Sequence, residues 1–200
     1  MERVDLVCLG DSIVYGYGVS PRYAWPYLAS KTLGINILNK GENGDTADGM
    51  NVRFMKDVAW NHPKDVFVMA GANDILMGIP QAHTRESMDM IIGKALTAGI
   101  EPMVGIPLQV DGAMLKDCWY SFLGIDETMA LFSGYREWLL NYCECRKIPY
   151  VDFQKKFPEY LAGKGISRAF QDGVHPTREG YAVMAEIFCD TYRKIKGVCG

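Results

Sequence analysis

The sequence predicts a three-layer α/β/α domain built on a five-stranded, parallel, doubly wound sheet. Three observations point there. Short continuous apolar runs recur along the chain, segments of helical period separate them, and polar clusters rich in Gly, Asn and Asp follow several of the runs. Strands buried on both faces read as unbroken apolar runs, and helices between them imply right-handed parallel crossovers.

The elements follow in order. Residues 4–9 form an apolar run with one Asp, read as a buried strand, and residues 35–38, 66–70, 102–106 and 149–153 are four more. Weaker helical signals cover residues 25–33 and 47–60. Stronger faces are Met88, Ile91, Ile92, Ala95 and Leu96; then Leu131, Tyr135, Trp138, Leu139 and Tyr142; then Tyr181, Met184, Ile187, Phe188 and Ile195. The whole chain, residues 1–200, reads as one domain with an insertion at about residues 107–126. A stretch that long is either functional or carries a short helix of its own.

Composition narrows the function classes. Twenty-one basic against 24 acidic residues leave a net charge of −3, which argues against a nucleic-acid partner. With 48% hydrophobic and 22% charged residues the chain is globular, and no apolar stretch is long enough to span a bilayer. The N-terminal MERVDLVCLGDS is acidic and unlike a secretory signal, so a cytoplasmic location is expected. Six cysteines (Cys8, Cys118, Cys143, Cys145, Cys189, Cys199) are then expected as reduced thiols. Cys143 and Cys145 make a C-x-C pair with no second pair at ligand spacing, so neither a metal nor a cofactor is expected.

In open α/β sheets ligands sit beyond the carboxyl ends of the strands. Gly10-Asp11-Ser12 follows the first run, Asn39 to Thr46 the second, and Gly71-Ala72-Asn73-Asp74 the third; Asp172-Gly173-Val174-His175-Pro176 precedes the last helix. These clusters supply a hydroxyl, backbone amides, a side-chain amide, a carboxylate and an imidazole, the parts of an acyl-transfer site. Read singly, each has a plainer role. Ser12 equally suits a helix N-cap, Asp172 a turn, and Asn73 and Gly44 ordinary loop chemistry. Among three histidines, His62 and His83 read as solvated. His175 alone has a carboxylate three residues before it and a proline after it.

Taken together, Gly-Asp-Ser, Asn43-Gly44-Asp45-Thr46, Gly-x-Asn-Asp and Asp-x-x-His resemble the SGNH, or GDSL-type, hydrolase superfamily, over residues of about 5 to 185. Residues 23–29 (Tyr-Ala-Trp-Pro-Tyr-Leu-Ala) also look like the stretch that often follows the first block. The first block reads Gly-Asp-Ser-Ile, with isoleucine where leucine is usual, a conservative departure. The resemblance implies a flavodoxin-like sheet and a serine acylhydrolase acting on a small-molecule ester. Ser12 would be the nucleophile, His175 the base and Asp172 its acid partner, with the Ser12 and Gly44 amides and the Asn73 side chain as oxyanion hole. The superfamily's substrates include lysophospholipids, thioesters, simple esters and acetylated carbohydrates.

Asp11, Ile75, Trp119, Tyr120, Phe122 and Val174 are the candidates for contact with substrate. Trp119, Tyr120 and Phe122 in the insertion equally suit plain packing, and Ile75 the start of a helix. Carbohydrate O-deacetylation and thioester hydrolysis would use the same site. An acyltransferase, or a binding module without catalysis, is the reading from another class. The chain holds no Gly-x-Ser-x-Gly elbow, dinucleotide fingerprint or phosphate loop.

Overall fold

Each of the five apolar runs forms a strand. The computed structural model describes residues 3–118 and 123–197, with side chains left aside at 116–118. The strands are β1 (Leu6–Gly10), β2 (Ile37–Gly41), β3 (Asp65–Met69), β4 (Glu101–Ile106) and β5 (Tyr150–Asp152), all parallel, in the order β2-β1-β3-β4-β5. Gly10 at the end of β1 is in register with Gly41 of β2 and Met69 of β3.

Alternation along the strands builds two cores. Val7, Leu9, Val66, Val68, Val104 and Ile106 face one side; Leu6, Cys8, Phe67, Met69, Met103 and Val151 face the other. The first side is covered by α3 (Ala47–Asp57), α5 (Gln81–Thr97) and α7 (Ile125–Arg146), the second by α2 (Trp25–Leu33), α8 (Phe153–Lys164) and α9 (Arg178–Lys196). On the second side Trp25, Phe67, Phe153 and Phe188 interlock, with ring centroids 5.0–6.2 Å apart. Each fully buried ring of this kind contributes roughly 1.5–3 kcal/mol.

Three shorter α-helices stand beside these among the described residues: α1 (Ser12–Tyr15), α4 (Ala72–Leu76) and α6 (Gly112–Cys118). The insertion therefore carries α6, and α7 begins inside its far end. Trp119, Tyr120 and Phe122 lie outside the described residues. Helix α8 had no helical signal in the sequence, because Pro158 sits within it and only Phe157 and Phe153 are buried on it. Leu96, assigned to the buried face of α5, is 56% exposed; in the last turn Ala95 faces the core and Leu96 borders a surface groove beside Glu101 and Pro102. Among the described residues no helix is long and apolar enough to cross a membrane.

Candidate active site

Strand order reverses direction between β1 and β3, where β1 leads into α1 and α2 on one side of the sheet and β3 into α4 and α5 on the other. That divergence opens a crevice at the carboxyl ends of the two central strands. Ser12 stands there as the first residue of α1, and the Asp11 side chain caps the helix by accepting the Ile13 N–H at 2.9 Å. Asn73 stands opposite, in α4.

His175 arrives from the far end of the chain. Its Nε2 lies 2.8 Å from Ser12 Oγ, and its Nδ1 lies 2.7 Å from Asp172 Oδ2. Ser12 and His175 are both buried, while the Asp172 side chain keeps 24% of its surface. The other Asp172 oxygen accepts the backbone N–H groups of Val174 and His175, at 3.0 and 2.8 Å. Burial works against the charged carboxyl, but the His175 N–H, its ring and the Val174 N–H outweigh it and hold Asp172 below the usual carboxylate range. An anionic carboxylate behind the imidazole orients it so that Nε2 can take a hydroxyl proton.

The loop carrying these residues is clamped. Gln171 N–H donates to His175 O, Phe170 pairs with Pro176, and Asp111 N–H donates to Gly173 O at 2.8 Å. Gly173 has φ +88°, and a Cβ there would come within 2.7 Å of Leu115 N. Glycine is required at this position both by conformation and by the close approach of α6. The described part of the insertion thus supports the Asp172–His175 loop from behind.

Gly44 has φ +75° and nothing within 4 Å of where a Cβ would stand, so its requirement is the left-handed turn alone. That turn is joined to Asn73, whose Nδ2 donates to Asp45 O at 2.8 Å. An amide nitrogen carries two donors, and this bond uses one. Asp45 and Asp74 fix loops. Asp45 accepts the Thr46 N–H, and Asp74 accepts the Ala47 N–H and the Thr84 hydroxyl.

The substrate-contact candidates fare differently. Ile75 and Val174 are 2% and 4% exposed and belong to the apolar cluster that also holds Val110 and Leu115, a burial like that of Ser12 and His175 themselves. Asp11 is buried as a helix cap. His62 and His83 are exposed, as expected.

One neighbour of the crevice escaped the sequence reading. The ring of Tyr17 lies over the His175 imidazole, centroids 4.4 Å apart, and Tyr17 is 45% exposed. Its only signal was an aromatic residue between two glycines after the first block. Two clefts also open along the carboxyl end of the sheet. One, about 410 Å³, is largely apolar, lined by Leu108, Met129, Phe157, Leu161 and Phe170; the other, about 420 Å³, is more polar, between Thr46, Asp48, His83 and Glu86.

Asp11 titrates unusually. Burial, reinforced by the charges of Asp45 and Asp74 and opposed by the Ile13 N–H, pushes its carboxyl up to about 7. The folded chain therefore keeps a proton that the unfolded chain loses near pH 4, and stability from this group is lost as pH rises from about 4 to 7. Asp11→Asn keeps the cap acceptor and removes the titration. Urea unfolding at pH 5 and pH 8 is expected to show the variant gaining on the parent protein by a few kcal/mol at most across that interval. Equal pH dependence in the two proteins would exclude this origin.

Comparison with known proteins bears on the same four blocks. The model of the "GDSL-like Lipase/Acylhydrolase family" matches residues 8–183. The chain is 32% identical over 104 residues to the "Thioesterase 1/protease 1/lysophospholipase L1" of Escherichia coli (strain K12), covering 50% of this chain and 49% of that protein. It is 26% identical over 157 residues to the "Acetylxylan esterase" of Geobacillus stearothermophilus, covering 78% of this chain and 71% of that one. A crystal structure of a member of the lipolytic protein G-D-S-L family from Veillonella parvula DSM 2008 superposes with a TM-score of 0.79 at 26% identity, over 96% of this chain and 99% of the other. A family match running from β1 into α9 takes in both ends of the hydroxyl–imidazole–carboxylate line, and the chain belongs to the GDSL-like lipase/acylhydrolase family, whose members act on ester bonds.

Proposed function

We propose that the protein hydrolyses carboxylic esters through an acyl-enzyme on Ser12. The observation that carries this reading is the unbroken line from Ser12 Oγ to His175 Nε2 and from His175 Nδ1 to Asp172, at 2.8 and 2.7 Å. In the first half-reaction Ser12 Oγ attacks the ester carbonyl carbon while His175 Nε2 takes its proton. Negative charge collects on the carbonyl oxygen, facing the Ser12 and Gly44 amides and the Asn73 side chain. The C–O bond to the alcohol then breaks, and His175 returns the proton to the departing oxygen. Water repeats the steps on the acyl-enzyme and releases the acid.

A fluorophosphonate probe tests the machinery: it should label the parent protein on Ser12, and labelling elsewhere or not at all would overturn the reading. Asn73→Ala is expected to lower kcat by about 10²–10³-fold, the usual cost of one oxyanion donor, with the fold intact by circular dichroism. A kcat within twofold of the parent would remove Asn73 from that role.

Two finer readings have support. The acetylxylan esterase relative, matched over most of both chains, favours a small acyl group on a carbohydrate. The thioesterase/lysophospholipase relative, matched over half of each, favours a longer acyl chain, for which the apolar cleft beside Leu108 and Phe170 offers a wall. Rates on p-nitrophenyl esters of increasing length, run beside an acyl-thioester and an acetylated xylo-oligosaccharide, separate them.

A further inference from the structure

The proposed oxyanion donors come from three segments far apart in sequence: the Ser12 amide after β1, the Gly44 amide after β2 and the Asn73 side chain after β3. Nothing local to any one segment sets its distance from the other two. We infer that Arg53, in the second turn of α3, is the positioning residue that holds the three in register.

The guanidinium is nearly buried, with 11% of its side chain exposed, and each of its nitrogens is committed. Nη2 donates to Gly10 O at 2.9 Å, two residues before Ser12. Nε donates to Asp45 Oδ2 at 2.7 Å, one residue after Gly44. Nη1 donates to Asp57 Oδ2 at 2.9 Å, and Asp57 also accepts Lys40 Nζ from β2 at 3.1 Å. Asp45 in turn accepts Asn73 Nδ2 on its backbone carbonyl. A continuous path therefore runs from the end of β1 through Arg53 and the Gly44–Asp45 turn to Asn73.

Only a planar fork of several donors meets a carbonyl and two carboxylates in these three directions at once; an ammonium in the same place is a single point of attachment. Lysine would preserve the charge facing Asp45 and Asp57 and surrender the geometry. Since a displacement of about 1 Å at reacting groups can cost on the order of 10²-fold in rate, loss of this fork should register in catalysis before it registers in folding.

This inference rests on the oxyanion hole proposed above, and the test separates the two. Arg53→Lys, Asp45→Asn, Asn73→Ala and the double variant Arg53→Lys/Asn73→Ala are compared on one p-nitrophenyl ester, with fluorophosphonate labelling of Ser12 as control. Arg53→Lys should lower kcat by about 10–10²-fold with KM within about twofold, and weaken inhibition by an alkyl boronic acid by the same factor, because the boronate places its oxygen where the oxyanion forms. Asp45→Asn should move both quantities in the same direction. In the Asn73→Ala background, Arg53→Lys should cost less than it does alone, since one of the three donors it positions is gone. Equal costs in both backgrounds, or kcat unchanged in Arg53→Lys, would overturn the inference while leaving Ser12 in place. Should Arg53→Lys fail to fold, Asp45→Asn decides alone: unchanged kcat and boronate affinity overturn the inference. Failure of the Ser12 label, by contrast, strikes the proposed function itself.

Discussion

Ser12→Ala is expected to lower kcat by on the order of 10⁶, the scale reached when the nucleophile is taken from a serine–imidazole pair, leaving the oxyanion donors to give a residual rate of about 10³–10⁴ over water. The hydroxyl meets His175 Nε2 at 2.8 Å, where the imidazole can take its proton. Removing one hydroxyl costs about 1 kcal/mol of hydrogen bonding, which moves the melting temperature of a chain this size by about 2–4 °C. Loss of turnover and of phosphonate labelling should therefore occur in a folded protein. Turnover within tenfold of the parent would end the nucleophile assignment.

Asp172→Asn is expected to cost about 10⁴ in kcat with the backbone unmoved. The amide oxygen can still accept the Val174 and His175 N–H groups that now bind Asp172 Oδ1. What the amide cannot do is accept from Nδ1 at the position of Oδ2 while its NH₂ occupies it. The imidazole then settles in the tautomer whose Nε2 already carries a proton, and the base is lost. The pH behaviour follows from the same pair. Asp172 is held below the usual carboxylate range, so its contribution to folding is present above about pH 4 and is lost only as pH falls through its lowered value. It is charged throughout the neutral range, so it adds no ionisation of its own to the rising limb of kcat/KM against pH. A rate independent of pH from 5 to 9 would exclude His175 from that role.

Much of this arrangement was legible in the residues because it depends on local rules. Val7, Leu9, Val66 and Val68 announce buried strands by lacking polar alternation, and Ser12, Gly44, Asn73, Asp172 and His175 stand at strand ends or helix starts, where polar residues are conspicuous. What the residues did not show has physical causes too. Ile75 and Val174 neighbour site residues in sequence, but a side chain's direction depends on the turn it occupies, and both join the apolar cluster. Pro158 concealed α8, since a proline removes the signal without preventing a helix anchored by Phe153 and Phe157. Tyr17 and Arg53 carried no pattern that tied them to the site, because the contacts that bring them there, with His175 and Gly10, lie more than 30 residues away.

The sequence alone determined the strand runs, the helical faces and the identities of the chemical groups, since these follow from period, residue type and spacing along the chain. The tertiary structure decided which groups meet. The order β2-β1-β3-β4-β5 brings Ser12 and His175 together across 163 residues, sets Tyr17 over the imidazole, and joins the end of β1 and the turn after β2 through one guanidinium. Distances between segments remote in sequence are fixed by packing of the whole sheet and its helices, and no single segment encodes them.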